Sequence, residues 1–432
     1  MAEPLNGNAV IGQAGGPTVV INQSLVGVVQ EATKHAHIKR LLGARYGVRG
    51  VINEDFYDLH RQPSNMLELV AQTPAAALGA TRDKPDEEYC ERILNVFRKY
   101  EVRYFFYIGG NDSAQTAQIV NRLAAEAHYD LRVIHIPKTI DNDLLVTDHC
   151  PGYGSAARFV ASAFIGDNLD NRALKGVKIN ILMGRHAGFL TAASILARQR
   201  PDDGPHLVYL PERPLDIDQF LADVEEVYNQ FGRCLVAVSE GICDTEGVHW
   251  AQKVQVMRSK EAFETDAHGN VQLSAGAGSL ADYLTAMIKD HCKSIKRVRA
   301  DTFGYLQRSF PGCRSEVDAW EARLVGQMAV CYSVETEQDG SVALVRLPST
   351  TYAVGTRLVA LEEVAPPTPP LTKVFPDEYI NQAGNNVLNS FREYVGPLVG
   401  ELPKTGWFEQ ISQKPVHSTS SGGVVGRRTG AQ

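Results

Sequence analysis

Pro137-Lys138-Thr139-Ile140-Asp141-Asn142-Asp143 follows the apolar run Val133-Ile134-His135-Ile136, which reads as a buried strand. Two carboxylates, a hydroxyl and a lysine therefore leave the end of one strand together. Carboxylates on one loop repel unless they share a task, and the usual tasks are holding a cation or accepting a proton from a hydroxyl. The same residue types also make an ordinary polar turn, so this stretch alone leaves both readings open.

Working outward, Tyr104-Phe105-Phe106-Tyr107-Ile108 reads as another buried strand. It ends in Gly109-Gly110-Asn111-Asp112-Ser113. The spacing of Ala117, Val120, Leu123, Ala124 and Ala127 then predicts a helix, with Asp112 or Ser113 as N-cap. Nearer the start, Asn8-Ala9-Val10-Ile11-Gly12 leads into Gly12-Gln13-Ala14-Gly15-Gly16-Pro17 and a helix over 19–32. A strand, a glycine turn and a helix start make a ready anion site, because backbone N–H groups and the helix dipole both favour a phosphate there. It is equally a tight turn of any α/β unit. Between these units lie a short strand and glycine turn at 41–47, a helix over 65–71, a loop carrying Arg82 and Lys84, and a helix over 89–100. A guanidinium can grip phosphate oxygens bidentately, although two bases on a loop are also an ordinary solvated surface. The βαβ alternation implies a parallel sheet whose ligands bind at the carboxyl ends of its strands. The loops 12–17, 109–113 and 137–143 all stand at such ends.

A second βαβ series follows. Helices are predicted over 152–169, up to 197 and over 217–231, with strands at 177–182, 207–210 and 234–239. The strand ends carry Met183-Gly184-Arg185 and Glu240. Residues 245–275 read as a polar, irregular insertion, and 281–293 as a helix. The segment 297–309 reads as a strand and loop bearing Arg299, Tyr305 and Arg308. A helix over 316–330 and a strand or hairpin at 341–347 complete the pattern.

Composition narrows the function. Of 432 residues, 44% are hydrophobic and 22% charged, as in an ordinary globular protein. The net charge of −7 argues against nucleic acid or an anionic membrane as partner, so a site for an anionic substrate must gather its own cations. No apolar run is long enough to span a bilayer, and the N-terminus lacks signal-peptide character, which predicts a cytoplasmic protein. Seven isolated cysteines without a CxxC pair fit reduced thiols, and the twelve histidines contain no HExxH pair.

The motifs Gly15-Gly16, Gly109-Gly110-Asn111-Asp112-Ser113, Pro137-Lys138-Thr139-Ile140-Asp141-Asn142-Asp143, Met183-Gly184-Arg185 and Gly304-Tyr305-Leu306-Gln307-Arg308 occur in the order and approximate spacing of the phosphofructokinase family, which the chain resembles over roughly residues 8–350. It is most similar to the branch that uses inorganic diphosphate in place of ATP. Where the ATP branch carries Gly-Gly-Asp-Gly-Ser and Pro-Gly-Thr, this chain has Asp112 and Lys138 at the second-last and second positions. The resemblance implies an α/β protein of two Rossmann-like three-layer domains with parallel-rich sheets. A donor-binding domain would comprise 1–150 plus about 307–350, and a sugar-phosphate domain 151–306 plus about 351–412. The Ser-, Gly- and Thr-rich residues 413–432 are expected to form a disordered tail.

By the same resemblance the activity is transfer of a phosphoryl group from diphosphate to the 1-hydroxyl of fructose 6-phosphate, with Mg²⁺ as cofactor, in a homodimer or homotetramer. Asp141 would be the base, Lys138 and Asp112 catalytic, and Gly15 and Arg82 the holders of diphosphate. Thr139, Ile140, Asp141, Asp143, Met183, Gly184, Arg185, Glu240, Tyr305 and Arg308 would contact the sugar phosphate, the last two at its 6-phosphate, with Arg299 reaching in from a neighbouring subunit. Asn111 and Asp112 would hold the metal. Asn111 stands where the family usually has an aspartate; an amide oxygen ligates magnesium more weakly, which leaves Asp143 as a further ligand. No arginine precedes Met183 at the family's spacing, only Lys175 and Lys178. Three rivals follow: an ATP-dependent enzyme, which Asp112 and Lys138 disfavour; the same reaction on sedoheptulose 7-phosphate; and a non-catalytic sugar-phosphate sensor, which Asp141 and Asp143 disfavour.

Overall fold

The computed structural model describes residues 4–258, 273–369 and 371–408. The chain up to Leu402 forms one compact unit, and Pro403–Gln432 a second, whose described residues 403–408 carry no regular secondary structure. The expected tail 413–432 lies outside the described residues.

Seven strands form the first sheet: β1 (Gly7–Gln13), β2 (Ile38–Ala44), β3 (Phe56–Asp58), β4 (Val102–Gly109), β5 (Arg132–Pro137) and, after four strands of a second sheet, β10 (Gly340–Arg346) and β11 (Val354–Val359). Their order is β11-β10-β5-β4-β1-β2-β3. The neighbours β5, β4 and β1 are parallel, and antiparallel β3 and β11 close the two edges. β4 is buried on both faces, which is why its side chains run Tyr-Phe-Phe-Tyr-Ile rather than alternating with polar ones. Residues 351–359 were expected with the sugar-phosphate half; instead β11 pairs with β10 across a short connection and extends the first sheet.

The second sheet has the order β7-β8-β6-β9, all parallel, from β6 (Val177–Leu182), β7 (Leu207–Tyr209), β8 (Cys234–Ser239) and β9 (Val298–Thr302). The helix Ile217–Phe231 ends where the sequence places it, at Gly232 in the left-handed conformation. Residues 245–275 are less irregular than expected: helices Trp250–Arg258 and Leu273–His291 occupy the described part, because Ala251, Val254, Leu280 and Leu284 bury against the sheet. Residues 259–272 lie outside the described ones.

The glycine loop after β1 is held by a close helix crossing. Helices Ile21–Ala32 and Glu316–Glu335 meet at Gly27 and Gly326. A Cβ on Gly27 would sit 2.3 Å from the Arg323 carbonyl, and one on Gly326 2.2 Å from the Ser24 carbonyl. Only glycines admit this approach. The crossing fixes the helix start that the loop 14–20 leads into. Among the described residues no helix is long and apolar enough to cross a membrane, and the seven cysteines are all free thiols.

Candidate active site

The register of the first sheet decides which loops meet. Gln13 is level with Ile108, and Gly109 with Pro137, so the chain leaves β1, β4 and β5 side by side. The second sheet does the same with β8, β6 and β9, which release Glu240, Met183-Gly184-Arg185 and the segment bearing Tyr305 and Arg308. Both sets line one cleft of about 640 Å³. It gathers Gly15, Arg82, Asn111, Asp112, Lys138, Thr139, Asp141, Asp143, Met183, Arg185, Glu240, Tyr305 and Arg308, thirteen of the positions expected from sequence.

Three expected residues stand elsewhere. Ile140 is buried in a hydrophobic cluster with Tyr153 and Met183, since an isoleucine between polar neighbours turns its side chain inward. Gly184, at φ 137°, makes the turn after β6; a Cβ there would lie 2.8 Å from the Ala187 carbonyl. Arg299 is exposed on edge strand β9 and does not line the cleft of its own chain. Lys178, on β6, pairs with Asp167 and Asp301.

The glycine turn after β4 differs in detail from expectation. The helix Asn111–Glu126 starts at least two residues early, with Gly110 as N-cap and no side-chain cap. Neither Asp112 nor Ser113 caps it. Ser113 instead packs under Gly109, where an added Cβ would approach its Oγ to 2.0 Å. Asp112 is thereby left in the first helical turn, facing the cleft, where Lys84 Nζ pairs with it at 3.3 Å. Gln115 and Gln118 line the cleft farther along the same helix, a continuation that the 3.6-residue period makes legible once Asp112 is placed.

The acidic loop is held from behind. Asn142, at φ 56°, is wholly buried; its Oδ1 accepts from the Cys150 backbone N–H at 3.0 Å and its Nδ2 donates to Tyr394 Oη at 2.8 Å. A left-handed asparagine between two aspartates turns both carboxylates to the cleft side. Thr139 Oγ1 accepts from the Asp141 N–H at 3.1 Å. Asn111 Nδ2 donates to Asp143 at 2.8 Å, which leaves Asn111 Oδ1 buried without a hydrogen-bond partner; Asp141 Oδ1 is in the same condition.

Electrostatics here are those of a dry, crowded charge cluster. Burial, and then Asp143, push Asp141 up to about 6. Burial also raises Asp143, with the Thr139 hydroxyl opposing it. Glu240 is raised to about 7 by burial and by Asp141. Lys138 is lowered to about 8, first by burial and then by Arg308. Arg308 is lowered in turn by burial and by Arg82. Its guanidinium lies against the glycine loop: a Cβ on Gly16 would be 3.1 Å from Arg308 Cζ. Arg308 thus stands beside the glycine loop as well as beside Tyr305.

A carboxylate poised near neutrality, a buried lysine and two guanidiniums around a glycine loop suit proton abstraction from a hydroxyl beside a polyanion. Hard oxygen donors at Asn111, Asp112 and Asp143 suit a small divalent cation such as magnesium. Among the described residues no three His, Cys, Asp or Glu side chains gather as a metal site, and magnesium held by few protein ligands fills its shell with water and phosphate oxygens.

Residues 8–332 match the family model described as Phosphofructokinase. The chain is 53% identical over 394 residues to the pyrophosphate–fructose 6-phosphate 1-phosphotransferase of Rhodospirillum rubrum, covering 91% of this chain and 94% of that one. Among solved structures it is similar to the pyrophosphate-dependent phosphofructokinase of Marinobacter aquaeolei, with TM-score 0.79, 31% identity and coverage of 93% and 94%. The corresponding protein of Nitrosospira multiformis gives TM-score 0.79, 29% identity and coverage of 99% and 100%.

Proposed function

The chain belongs to the phosphofructokinase family, and we propose on that footing that it transfers a phosphoryl group from inorganic diphosphate to the 1-hydroxyl of fructose 6-phosphate. The products are fructose 1,6-bisphosphate and phosphate, and the same groups serve the reverse direction, a step shared by glycolysis and gluconeogenesis.

The observation that carries donor choice is the position of Asp112. Its carboxylate faces the cleft from the first turn of the helix after β4, beside Lys84. In the ATP branch of the family a glycine stands there and an α-phosphate passes close by. Like charges at contact distance in a partly dry site repel strongly, whereas diphosphate stops short of it. This disfavours the ATP-dependent reading, as does the name of the 53%-identical relative.

Asp141, ionised, takes the proton from the 1-hydroxyl as it attacks. Lys138 meets the charge that develops on the transferred phosphoryl group. The Gly15–Gly16 backbone and Arg82 hold the diphosphate end, and Arg308 serves both that end and the 6-phosphate of the sugar. Arg185, Glu240 and Tyr305 hold the sugar phosphate. Magnesium, held by the oxygens of Asn111, Asp112 and Asp143, would add positive charge to the phosphate oxygens. The enzyme works in the cytoplasm as a homodimer or homotetramer in which Arg299 completes a neighbouring site.

Initial rates with fructose 6-phosphate and either diphosphate or ATP test this function. Faster turnover with ATP would overturn the donor assignment. Sedoheptulose 7-phosphate as a second acceptor measures how strictly the sugar is chosen.

A further inference from the structure

His149 lies outside the cleft and none of the tasks above uses it, yet it is buried and placed between two carboxylates. Its Nδ1 is 2.8 Å from Asp148 Oδ1 and its Nε2 is 2.7 Å from Glu321 Oε2. A neutral imidazole has one N–H and one lone pair, so it would set that lone pair against an acceptor oxygen; only the doubly protonated ring donates to both. Burial opposes the charge, but both hydrogen bonds favour it, and His149 is held above its ordinary value.

Around this imidazolium the groups are joined in a row that ends at the acidic loop. Glu321 also accepts from Tyr352 Oη, and Asp148 from Arg346 Nη2 at 3.2 Å. The Asp148 backbone carbonyl accepts from Tyr394 Oη at 2.8 Å and from Lys373 Nζ at 2.8 Å. Tyr394 Oη in turn accepts from Asn142 Nδ2, and the Lys373 N–H donates to the Asp143 carbonyl at 2.8 Å. Two hydrogen-bonded routes therefore run from segment 147–149 to the acidic loop, one to Asn142 and one to Asp143.

We propose that His149, clamped between Asp148 and Glu321, is a positioning residue that sets the angle of the Asp141–Asp143 loop through Tyr394 and Asn142. The reason is geometric. Asn142 occupies a left-handed conformation, open to asparagine more than to most non-glycine residues, and its side chain pins it there. Both of its side-chain groups are spent on that constraint, and the Tyr394 hydroxyl that takes one of them is itself oriented by the Asp148 carbonyl. Losing the imidazolium would leave the buried Glu321 carboxylate without a cation and Asp148 with Arg346 alone, so segment 147–149 would move and Tyr394 with it.

The proposal rests on the phosphotransferase reading, and the test separates the two. Tyr394→Phe keeps the ring and removes both hydroxyl contacts; His149→Gln keeps a donor and removes the charge. We expect each to lower kcat by about 10- to 100-fold, as for misplacement of a reacting group, with both KM values within about twofold of wild type. The double variant should lose no more than the worse single. Hydrogen exchange of a peptide covering 138–150 needs no turnover and should quicken in both singles. Unchanged kcat in Tyr394→Phe overturns the proposal, as does unchanged exchange, as do losses that multiply. If His149→Gln does not fold, Tyr394→Phe decides alone. If wild type shows no diphosphate-dependent turnover, the functional reading fails, and exchange still decides whether His149 holds the loop.

Discussion

Lys138 Nζ donates a 2.8 Å hydrogen bond to the carbonyl of Gly16, so the lysine that leaves β5 reaches past β4 to the glycine loop that leaves β1. The contact brings a cation to the place where the glycine loop would receive phosphate. The loop is crowded by these cations: a Cβ on Gly15, which sits at φ 73°, would come within 3.2 Å of the lysine nitrogen, and one on Gly16 within 3.1 Å of Arg308 Cζ.

Lys138 and Asp141 together predict a bell-shaped pH profile. Asp141 accepts a proton only when ionised, and it is raised to about 6, so kcat/KM for fructose 6-phosphate should rise with pH through about 6. Lys138 is lowered to about 8 and is useful only while charged, so the rate should fall again above about 8. The acid limb belongs to the Asp141–Asp143 pair as a unit. Lys138→Arg keeps its charge over this range. It should lose the alkaline limb and retain the acid one, and an alkaline limb that stays would assign that limb to another group.

Asp141→Ser removes the proton acceptor and leaves the loop backbone, which Asn142 holds, in place. kcat should fall by about 10²–10⁴. Single-turnover rates check it, and a variant within about threefold of wild type, far short of that loss, would sink the assignment.

Arg308→Ala should impair both substrates. Its guanidinium lies against Gly16 and next to Arg82, close to the diphosphate loop, and it follows Tyr305 in the segment that faces the sugar phosphate. KM for diphosphate and for fructose 6-phosphate should both rise. A rise confined to the sugar phosphate would mean that the guanidinium swings to the 6-phosphate in the loaded enzyme.

Asp112→Gly removes the carboxylate from the nucleotide path and frees Lys84 from its partner. ATP-dependent turnover should become measurable while diphosphate turnover drops. Lys138→Gly alone should lower diphosphate turnover without admitting ATP. Both residues act on one charge cluster, so the double variant should depart from the product of the singles. The measurement is kcat/KM for both donors in all four proteins.

Asn111→Ala removes the buried amide oxygen that has no protein partner and the donor to Asp143. The magnesium concentration for half-maximal rate should rise, and titration calorimetry with magnesium and a non-hydrolysable diphosphate should show weaker binding. Unchanged magnesium dependence would move the metal to the carboxylates alone.

Most of the parallel core could be read directly. The run 104–108 is apolar without alternation because β4 is covered on both faces, and that covering leaves the same mark in any sequence. The helix Ile217–Phe231 is legible from its period, and Gly232 in the left-handed conformation ends it. The inward turn of the Ile140 side chain is not legible in a motif, which lists neighbours without saying which way each faces. Strand β11 was misplaced because its apolar content is modest and only its pairing with β10 puts it in the first sheet. The helix start at Asn111 was missed because Asp112 and Ser113 both suit a cap, and the outcome turned on how Gly109 and Ser113 pack.

Local order alone determined which residue types leave which strand ends: the glycines after β1 and β4, the two carboxylates and lysine after β5, and Met183-Gly184-Arg185 after β6. These follow from periodicity and turn chemistry over a few residues, which the chain carries wherever it folds. Only the tertiary structure decided that Arg308 comes to Gly16, that Lys138 spans to the glycine loop, and that His149 stands behind Asn142. The first two join residues more than a hundred positions apart, and the third runs through the distant Tyr394; they depend on strand order, on helix crossings such as Gly27 with Gly326, and on which charges can share a dry cleft. Burial sets all three, and burial is a property of the whole packed molecule rather than of any stretch of it.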